Sequence, residues 1–168
     1  LSLRAVEVAS ARERRAEVDA ALAEALGAPG RGRGAAIVYS PSRRGAEEEA
    51  ARLAARGWRA RAYHAGLAGA TRGEVQRAFI EERALEVVVA TNAFGMGIDR
   101  SDVRFVVHAS LPKGVEQYSQ ETGRAGRDGL AAECVLFHSG ADFYSWKGLI
   151  ERSHGEAGES ADPAQLAG

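Results

Sequence analysis

The stretch that decides the fold is LEVVVAT, which covers residues Leu85–Thr91. Neighbouring side chains of a strand point in opposite directions, so three consecutive valines, Val87 to Val89, put apolar groups on both faces. A strand with one wet face would alternate apolar and polar residues instead. The stretch therefore predicts a strand that is covered on both faces, as in a parallel sheet between two layers of helices.

Strand-like and helix-like segments alternate on both sides of this stretch. Apolar spacing defines the first helix, where Val18, Leu22 and Leu26 share one face before the stop signal Gly27. The predicted strands are Leu3–Val8, Ala35–Ser40, Trp58–Tyr63, Leu85–Thr91, Val103–Ala109 and Ala132–His138. The predicted helices are Ala11–Leu26, Ala46–Arg56, Thr71–Glu81 with a T-x-x-E capping box at Thr71 and Glu74, Val115–Thr122, and Asp142–Arg152.

This alternation predicts an α/β fold of three layers, with a mostly parallel sheet and helices on both faces. We expect the domain to occupy residues 1–152 and residues 153–168 to be a disordered tail or the stub of a linker. The chain does not begin with Met, so we expect it to be a piece of a longer protein. In such folds the loops at the carboxyl ends of the strands bind ligands. We therefore expect the functional residues there, together with the glycine–arginine segment 123–129.

The composition limits the kinds of partner. The formal net charge is −1, from 22 basic and 23 acidic residues, so nucleic-acid binding would need a local basic patch. No apolar run approaches the roughly 20 residues of a membrane span, and we expect no membrane contact. The single cysteine, Cys134, excludes an internal disulfide and a cysteine-based zinc site, and we expect it in the core.

The segment QETGRAGRDG, residues 120–129, carries the strongest chemical signal. Two arginines, Arg124 and Arg127, lie three positions apart, and each follows a glycine. Glycine lets the backbone approach a ligand closely, and the planar fork of arginine matches phosphate oxygens. The pattern is typical of a phosphate clamp. On spacing alone, a surface loop that is stabilised by salt bridges explains it equally well.

A second signal is ATNAFGMGID, residues 90–99, which leaves the most apolar predicted strand at its carboxyl end. Its two glycines and its final residue, Asp99, stand where a ribose or a phosphate could bind. A tight turn packed by Phe94, Met96 and Ile98 accounts for the apolar residues of the string but not for the whole of it.

In order and spacing, these two segments resemble motifs V and VI of superfamily 2 helicases, in the RecQ version. The resemblance extends over about Ala35 to Ile150. IVYSPSR at 37–43 is similar to motif IV, YHAGL at 63–67 to the loop that follows it, and Val106, His108 and LPK at 111–113 to the strand and turn before motif VI. DEAD-box RNA helicases are similar in plan, but they usually carry HRxGR where this chain has QETGR, and their motif V differs.

The resemblance implies the second, C-terminal RecA-like lobe of an ATP-dependent 3′–5′ DNA helicase. ATP with Mg²⁺ would sit between this lobe and a first RecA-like lobe that holds the Mg²⁺, because this sequence has neither a GxxxxGK[ST] loop nor a DExH strand. The implied arginine finger is Arg127. Gln120 and Arg124 are implied at the γ-phosphate, and Gly97 and Asp99 at the nucleotide. Asp99 would either bind the ribose or couple the nucleotide cleft to motif VI.

The resemblance also implies contacts to single-stranded DNA next to a duplex junction. The implied DNA-binding residues are Ser40, Ser42, Arg43, His64, Gly66, Thr91 and Asn92. Phosphate contacts of this kind position a strand without reading its sequence. His108 is interpreted as structural.

Two other functions stay open at this point. The chain could be a nucleic-acid-binding or regulatory module that keeps the helicase fold without ATPase activity. It could also be an unrelated parallel α/β enzyme, although no G-x-G-x-x-G follows a predicted strand. For the helicase interpretation we expect a cytoplasmic protein, at the nucleoid if bacterial, and no ATPase activity from this chain alone.

Overall fold

A six-stranded sheet forms the centre of the molecule in the computed structural model, which describes residues 2–91, 100–109 and 115–138. The strands are β1 (Ser2–Glu7), β2 (Ala35–Tyr39), β3 (Ala60–Tyr63), β4 (Val87–Ala90), β5 (Val103–His108) and β6 (Glu133–His138). Their order across the sheet is β1-β6-β5-β2-β4-β3, and every pair is parallel. The helices are α1 (Ala11–Leu26), α2 (Arg43–Ala55), α3 (Gly69–Ile80) and α4 (Val115–Thr122).

Helices cover both faces of the sheet. On one face α1 and α2 pack against alternate residues of the central strands, such as Val38 and Val89. On the other face Val75 and Phe79 of α3 pack against the intervening residues, such as Ile37 and Val88. All of β4 is buried, which confirms that the triple-valine strand is covered on both sides. The predicted three-layer α/β fold is therefore correct.

The predicted elements agree closely with the structure, and two of the differences in their bounds are informative. Helix α2 begins three residues before the predicted start, because the Ser42 side chain caps it by accepting from the Gly45 N–H at 3.0 Å. The predicted capping box of α3 is wrong. The helix begins at Gly69 after Ala68 without a side-chain cap, so Thr71 already lies inside its first turn, and Glu74 instead pairs with Arg61 at 3.0 Å.

Other sequence expectations concern single residues or segments. Cys134 is fully buried, as expected for a core residue. Trp58 is also buried, but β3 begins two residues later, at Ala60. The predicted closing helix at Asp142–Arg152 and the tail at 153–168 lie outside the described residues. In the described part of the chain, no helix combines the length and apolar character needed to cross a bilayer.

Candidate functional site

The loop after β2 combines two hydroxyls, one guanidinium and a helix N-terminus. Ser42 and Arg43 are exposed and Ser40 is half-buried. The Ser40 hydroxyl donates to the Ser42 carbonyl oxygen at 3.3 Å, and Ser42 in turn caps α2. The positive end of the helix dipole and these polar groups therefore stand at the carboxyl edge of the sheet, where an anion would be stabilised.

His64 holds the loop after β3 in shape. Its ring is buried, and Nδ1 accepts from the Gly66 N–H at 3.0 Å. Because Nδ1 is the acceptor, Nε2 carries the hydrogen and donates to Glu47 Oε1 of α2 at 2.8 Å. Both ring nitrogens are thus engaged within the protein, and the group that the loop presents outward is the backbone around Gly66.

Gly66 allows the loops after β2 and β3 to approach each other. A Cβ on Gly66 would stand 3.0 Å from His64 Nδ1 and 3.2 Å from Arg43 Nη1. The Arg43 guanidinium therefore lies against the backbone of a segment that is more than twenty positions away in sequence. A larger residue at this position would move one of the two side chains.

Thr91, after β4, belongs to the same edge of the sheet. Its N–H donates to the Tyr63 carbonyl oxygen at 3.2 Å, and the residue is buried. Five sequence-predicted DNA residues besides Thr91 share this edge: Ser40, Ser42, Arg43, His64 and Gly66. The seventh, Asn92, and the nucleotide candidates Gly97 and Asp99 lie outside the described residues.

The glycine–arginine segment is fixed at the other end of the sheet. The Gly126 N–H donates to the carbonyl oxygen of Val103, the first residue of β5, at 2.9 Å, and the Asp128 N–H donates to that of Ser101 at 3.2 Å. Gly126 has φ of +66°, a left-handed conformation that favours glycine. The backbone of this segment therefore lies beside the amino end of β5, because α4 returns the chain there before β6.

The two arginines of this segment differ in exposure. Arg124 is half-buried and Arg127 is exposed, with its Nε donating to the Gly123 carbonyl oxygen at 3.2 Å. Gln120, on the last turn of α4, is also exposed. Arg104 binds the Asp128 carboxylate and holds the pKa of that acid below its usual value. The bend that carries the arginines is thus tied to β5 through backbone and side chain.

A buried polar cluster connects α4 with β5 and β2. His108 Nε2 lies 2.8 Å from Glu121 Oε2, and the His108 ring stacks on Tyr39 at a centroid distance of 5.1 Å. Burial, reinforced by the Glu121 charge, raises the pKa of Tyr39, while the Arg124 charge opposes the rise. Arg124 is therefore near enough to act on the last residue of β2. The sequence interpretation took His108 as structural but missed its partner Glu121, whose position within motif VI offered the signal.

The described residues do not form a metal centre. In residues 2–91, 100–109 and 115–138, no group of three or more His, Cys, Asp or Glu side chains could hold a metal ion. The chemistry of the described site is that of guanidinium, hydroxyl and amide donors, which suits phosphate oxygens.

Comparisons with known proteins find related helicase sequences. The family model described as "Helicase conserved C-terminal domain" matches residues 18–129. The ATP-dependent DNA helicase RecQ of Bacillus subtilis (strain 168) is 49% identical over 132 residues, which are 79% of this chain and 22% of that protein. The RecQ-like DNA helicase BLM of Xenopus laevis is 50% identical over 115 residues, which are 68% of this chain and 8% of that protein. The chain thus spans under a quarter of the length of these relatives.

Solved structures with the same fold include two DEAD-box proteins. A DEAD box protein from Methanococcus jannaschii has a TM-score of 0.72 at 24% identity, covering 90% of this chain and 39% of that one. The Escherichia coli DEAD-box protein SrmB has a TM-score of 0.72 at 21% identity, covering 90% of this chain and 84% of that one. At these identities the likeness shows a shared fold.

Proposed function

Because the chain belongs to the helicase conserved C-terminal domain family, in its RecQ form, we propose that it is the second motor lobe of an ATP-dependent 3′–5′ DNA helicase. The observation that carries the proposal is the paired arginine segment, whose bend is tied to β5 while Arg127 stays exposed. Such a segment can reach a nucleotide that is held by a neighbouring lobe. The proposed partner is therefore a first RecA-like lobe of the same protein.

On the nucleotide side, Arg127 is the proposed arginine finger. Its guanidinium would neutralise charge that develops on the transferred phosphoryl group, an effect worth about 10³–10⁵ in rate for fingers of this kind. Arg124 and Gln120 would contact the γ-phosphate, and Gly97 and Asp99 remain proposed nucleotide contacts. ATP supplies the free energy for movement, with its Mg²⁺ held by the first lobe.

On the DNA side, the proposed track is the carboxyl edge of β2, β4 and β3. Ser40, Ser42 and Arg43 would bind phosphates with hydroxyls and a guanidinium. The loop at Gly66 would contact DNA through its backbone. His64 would contribute indirectly, because its hydrogen bonds to Gly66 and Glu47 fix the conformation of that loop. Thr91 lies at the same edge of the sheet, and Asn92 remains a proposed DNA contact. The proposed substrate is single-stranded DNA beside a duplex junction, and the proposed place of action is the cytoplasm, at the nucleoid in a bacterium.

The DNA candidates and the arginine segment lie at different places on the sheet, which is consistent with two separate ligands, DNA and ATP. The DNA candidates share the carboxyl edge of the sheet, whereas the backbone of the arginine segment is bonded to residues at the amino end of β5. The charge of Arg124 also acts on Tyr39, the last residue of β2, whose carboxyl end is followed by the DNA candidates. If ATP binding closes the two lobes and this closure moves DNA, the nucleotide site and the DNA track of this lobe must be physically coupled.

The test is ATP turnover by the complete helicase in the presence of single-stranded DNA. For Arg127→Ala we expect kcat to fall by about 10³-fold or more, while ATP affinity changes much less. Arg12→Ala, which removes an exposed arginine from α1, is the matched control and should retain turnover. Equal losses of affinity and kcat would make Arg127 a simple binding residue. Unchanged turnover would contradict the proposal.

A further inference from the structure

A cavity of about 490 Å³ lies beside the proposed DNA track. It is bounded by the N-terminal half of α1, by α2, and by the end of β2 and the loop after it, and Ser40 and Ser42 form part of its wall. Its volume is in the range of pockets that hold ligands, roughly 300–1,000 Å³. None of the sequence motifs includes the α1 side of this cavity.

The acidic residues of the cavity wall are already paired. Arg52 donates to Glu49 at 2.6 Å and to both oxygens of Asp19 at 2.9 Å, and Arg56 also pairs with Asp19 at 3.4 Å. Glu48 accepts from Arg44 at 2.8 Å. The negative charge on this wall is therefore compensated before any ligand binds.

The basic residues that α1 contributes to the cavity wall, in contrast, are not paired within the described part of the chain. Arg14 and Arg15 line the cavity, and neither guanidinium has a hydrogen-bond or ion-pair partner among the described residues. The Arg14 Nε–H is, moreover, buried from solvent. A buried donor without an acceptor is costly, and an anion that approaches along the cavity would relieve that cost.

Further donors face the same space from α2. Ser42 Oγ accepts from the Gly45 N–H, so its own hydroxyl hydrogen is free to donate. The cavity also meets the N-terminus of α2, a helix of 13 residues whose dipole favours negative charge there. Guanidinium groups of one helix and the hydroxyl and dipole of another thus converge on one volume.

We propose that this cavity binds a backbone phosphate of the DNA strand, held by Arg14 and Arg15 together with Ser42. The inference rests on the proposed function and extends its DNA track from the loop after β2 to α1. DNA is favoured over an acidic peptide because Ser40 and Ser42 belong both to the track and to the cavity wall. The site would add affinity without adding sequence preference.

The test measures binding of a fluorescent oligothymidylate to the full 168-residue chain by anisotropy, over a series of salt concentrations. The double variant Arg14→Gln/Arg15→Gln should bind about tenfold more weakly. Its plot of log K against log salt should be shallower by about 0.7 for each phosphate that the variant no longer neutralises. The control Arg12→Gln/Arg31→Gln removes the same charge from exposed positions outside the cavity and should change the affinity less than about twofold.

The outcomes separate this inference from the proposed function. Equal weakening by both double variants would overturn the cavity site and leave the helicase lobe intact. Absence of salt-dependent DNA binding by the unmodified chain would overturn both. Thermal melts check that all variants remain folded, and Gln is chosen because it is nearly as good a helix former as Arg.

A second measurement identifies the source of the phosphate. The Nε–H signals of Arg14 and Arg15 in ¹H–¹⁵N spectra should shift when the oligothymidylate is added and saturate with it. Displacement of the oligothymidylate by millimolar inorganic phosphate would overturn the DNA assignment in favour of a free anion. Equal displacement by polyglutamate would overturn it in favour of an acidic peptide.

Discussion

His108 and Glu121 form a buried pair, with Nε2 and Oε2 2.8 Å apart and side-chain exposures of only 2% and 7%. The pair joins β5 to α4. Its α4 member, Glu121, directly follows Gln120 and lies three positions before Arg124. The helix that leads into the arginine segment is therefore held by a polar contact inside the protein. Its rigidity matters for the nucleotide side, because a finger works only from a fixed position.

Removing this hydrogen bond should reduce stability and ATP turnover together. Glu121→Ala leaves the His108 Nε2–H without its acceptor, and we expect the free energy of unfolding to fall by about 2 kcal/mol. Glu121→Gln keeps an oxygen acceptor and should be less destabilising. Urea unfolding of the chain and turnover by the complete helicase measure the two effects. Glu116→Ala, at an exposed position of the same helix, is the control, and an equally large effect there would contradict the role of the pair.

Cys134 should be chemically inert in the folded protein. Burial raises the pKa of its thiol from 9.0 to about 12, and reactivity requires the thiolate. Ellman's reagent should therefore not react at neutral pH until urea unfolds the chain, when one equivalent should react at once. Rapid reaction of the folded chain would contradict the buried position.

The same shift gives a pH dependence with a definite sign. Because the folded pKa is raised, the stabilising contribution is fully present below the unfolded value near 9.0 and is lost as the pH rises through about 12. Cys134→Ala lacks this ionisation. Over that interval the unfolding free energy of the unmodified chain should fall more steeply than that of the variant, as urea titrations at several pH values would measure.

Local sequence signals predicted most of the fold. The spacing of Val18, Leu22 and Leu26 with Gly27 after them predicted α1 and its C-terminal end, and the three valines identified β4 as a strand covered on both faces. Errors arose where a polar residue had two possible roles. Ser42 is a helix cap rather than a loop residue, and Thr71 lies within a helix that begins earlier. The role that such a residue takes depends on tertiary packing, which a short sequence pattern does not encode.

The site was less predictable, because its contacts join segments that are distant in sequence. His64 meets Glu47 across 17 positions only because α2 packs beside β3. The placement of Gly126 beside Val103 depends on how far α4 carries the chain back along the sheet. No motif includes Arg14 or Arg15, whose relevance becomes visible only when α1 and α2 enclose a cavity.

Gly66→Ala should weaken DNA binding with little effect on stability. The added Cβ would stand 3.0 Å from His64 Nδ1 and 3.2 Å from Arg43 Nη1, so the loop or the guanidinium must shift. We expect a severalfold rise in the Kd for an oligothymidylate, measured by anisotropy. In Gly69→Ala the nearest atom is 3.8 Å from the new Cβ, and affinity should be unchanged. Equal Kd values for both variants would rule out a contribution of the Gly66 loop.

Gly126→Ala tests whether the bend of the arginine segment is fixed by strain, by crowding or by both. At φ of +66° a Cβ costs about 1–2 kcal/mol, and here it would also meet the Ala132 Cβ at 3.1 Å and the Leu130 carbonyl oxygen at 3.3 Å. Gly129 has φ of +81°, and no atom lies within 4 Å of a Cβ placed there, so Gly129→Ala introduces backbone strain without crowding. Urea unfolding should show a larger destabilisation for Gly126→Ala than for Gly129→Ala. Because Arg124 and Arg127 flank Gly126, only Gly126→Ala should also lower ATP turnover by the complete helicase, and equal turnover in both would mean that the bend does not position the arginines.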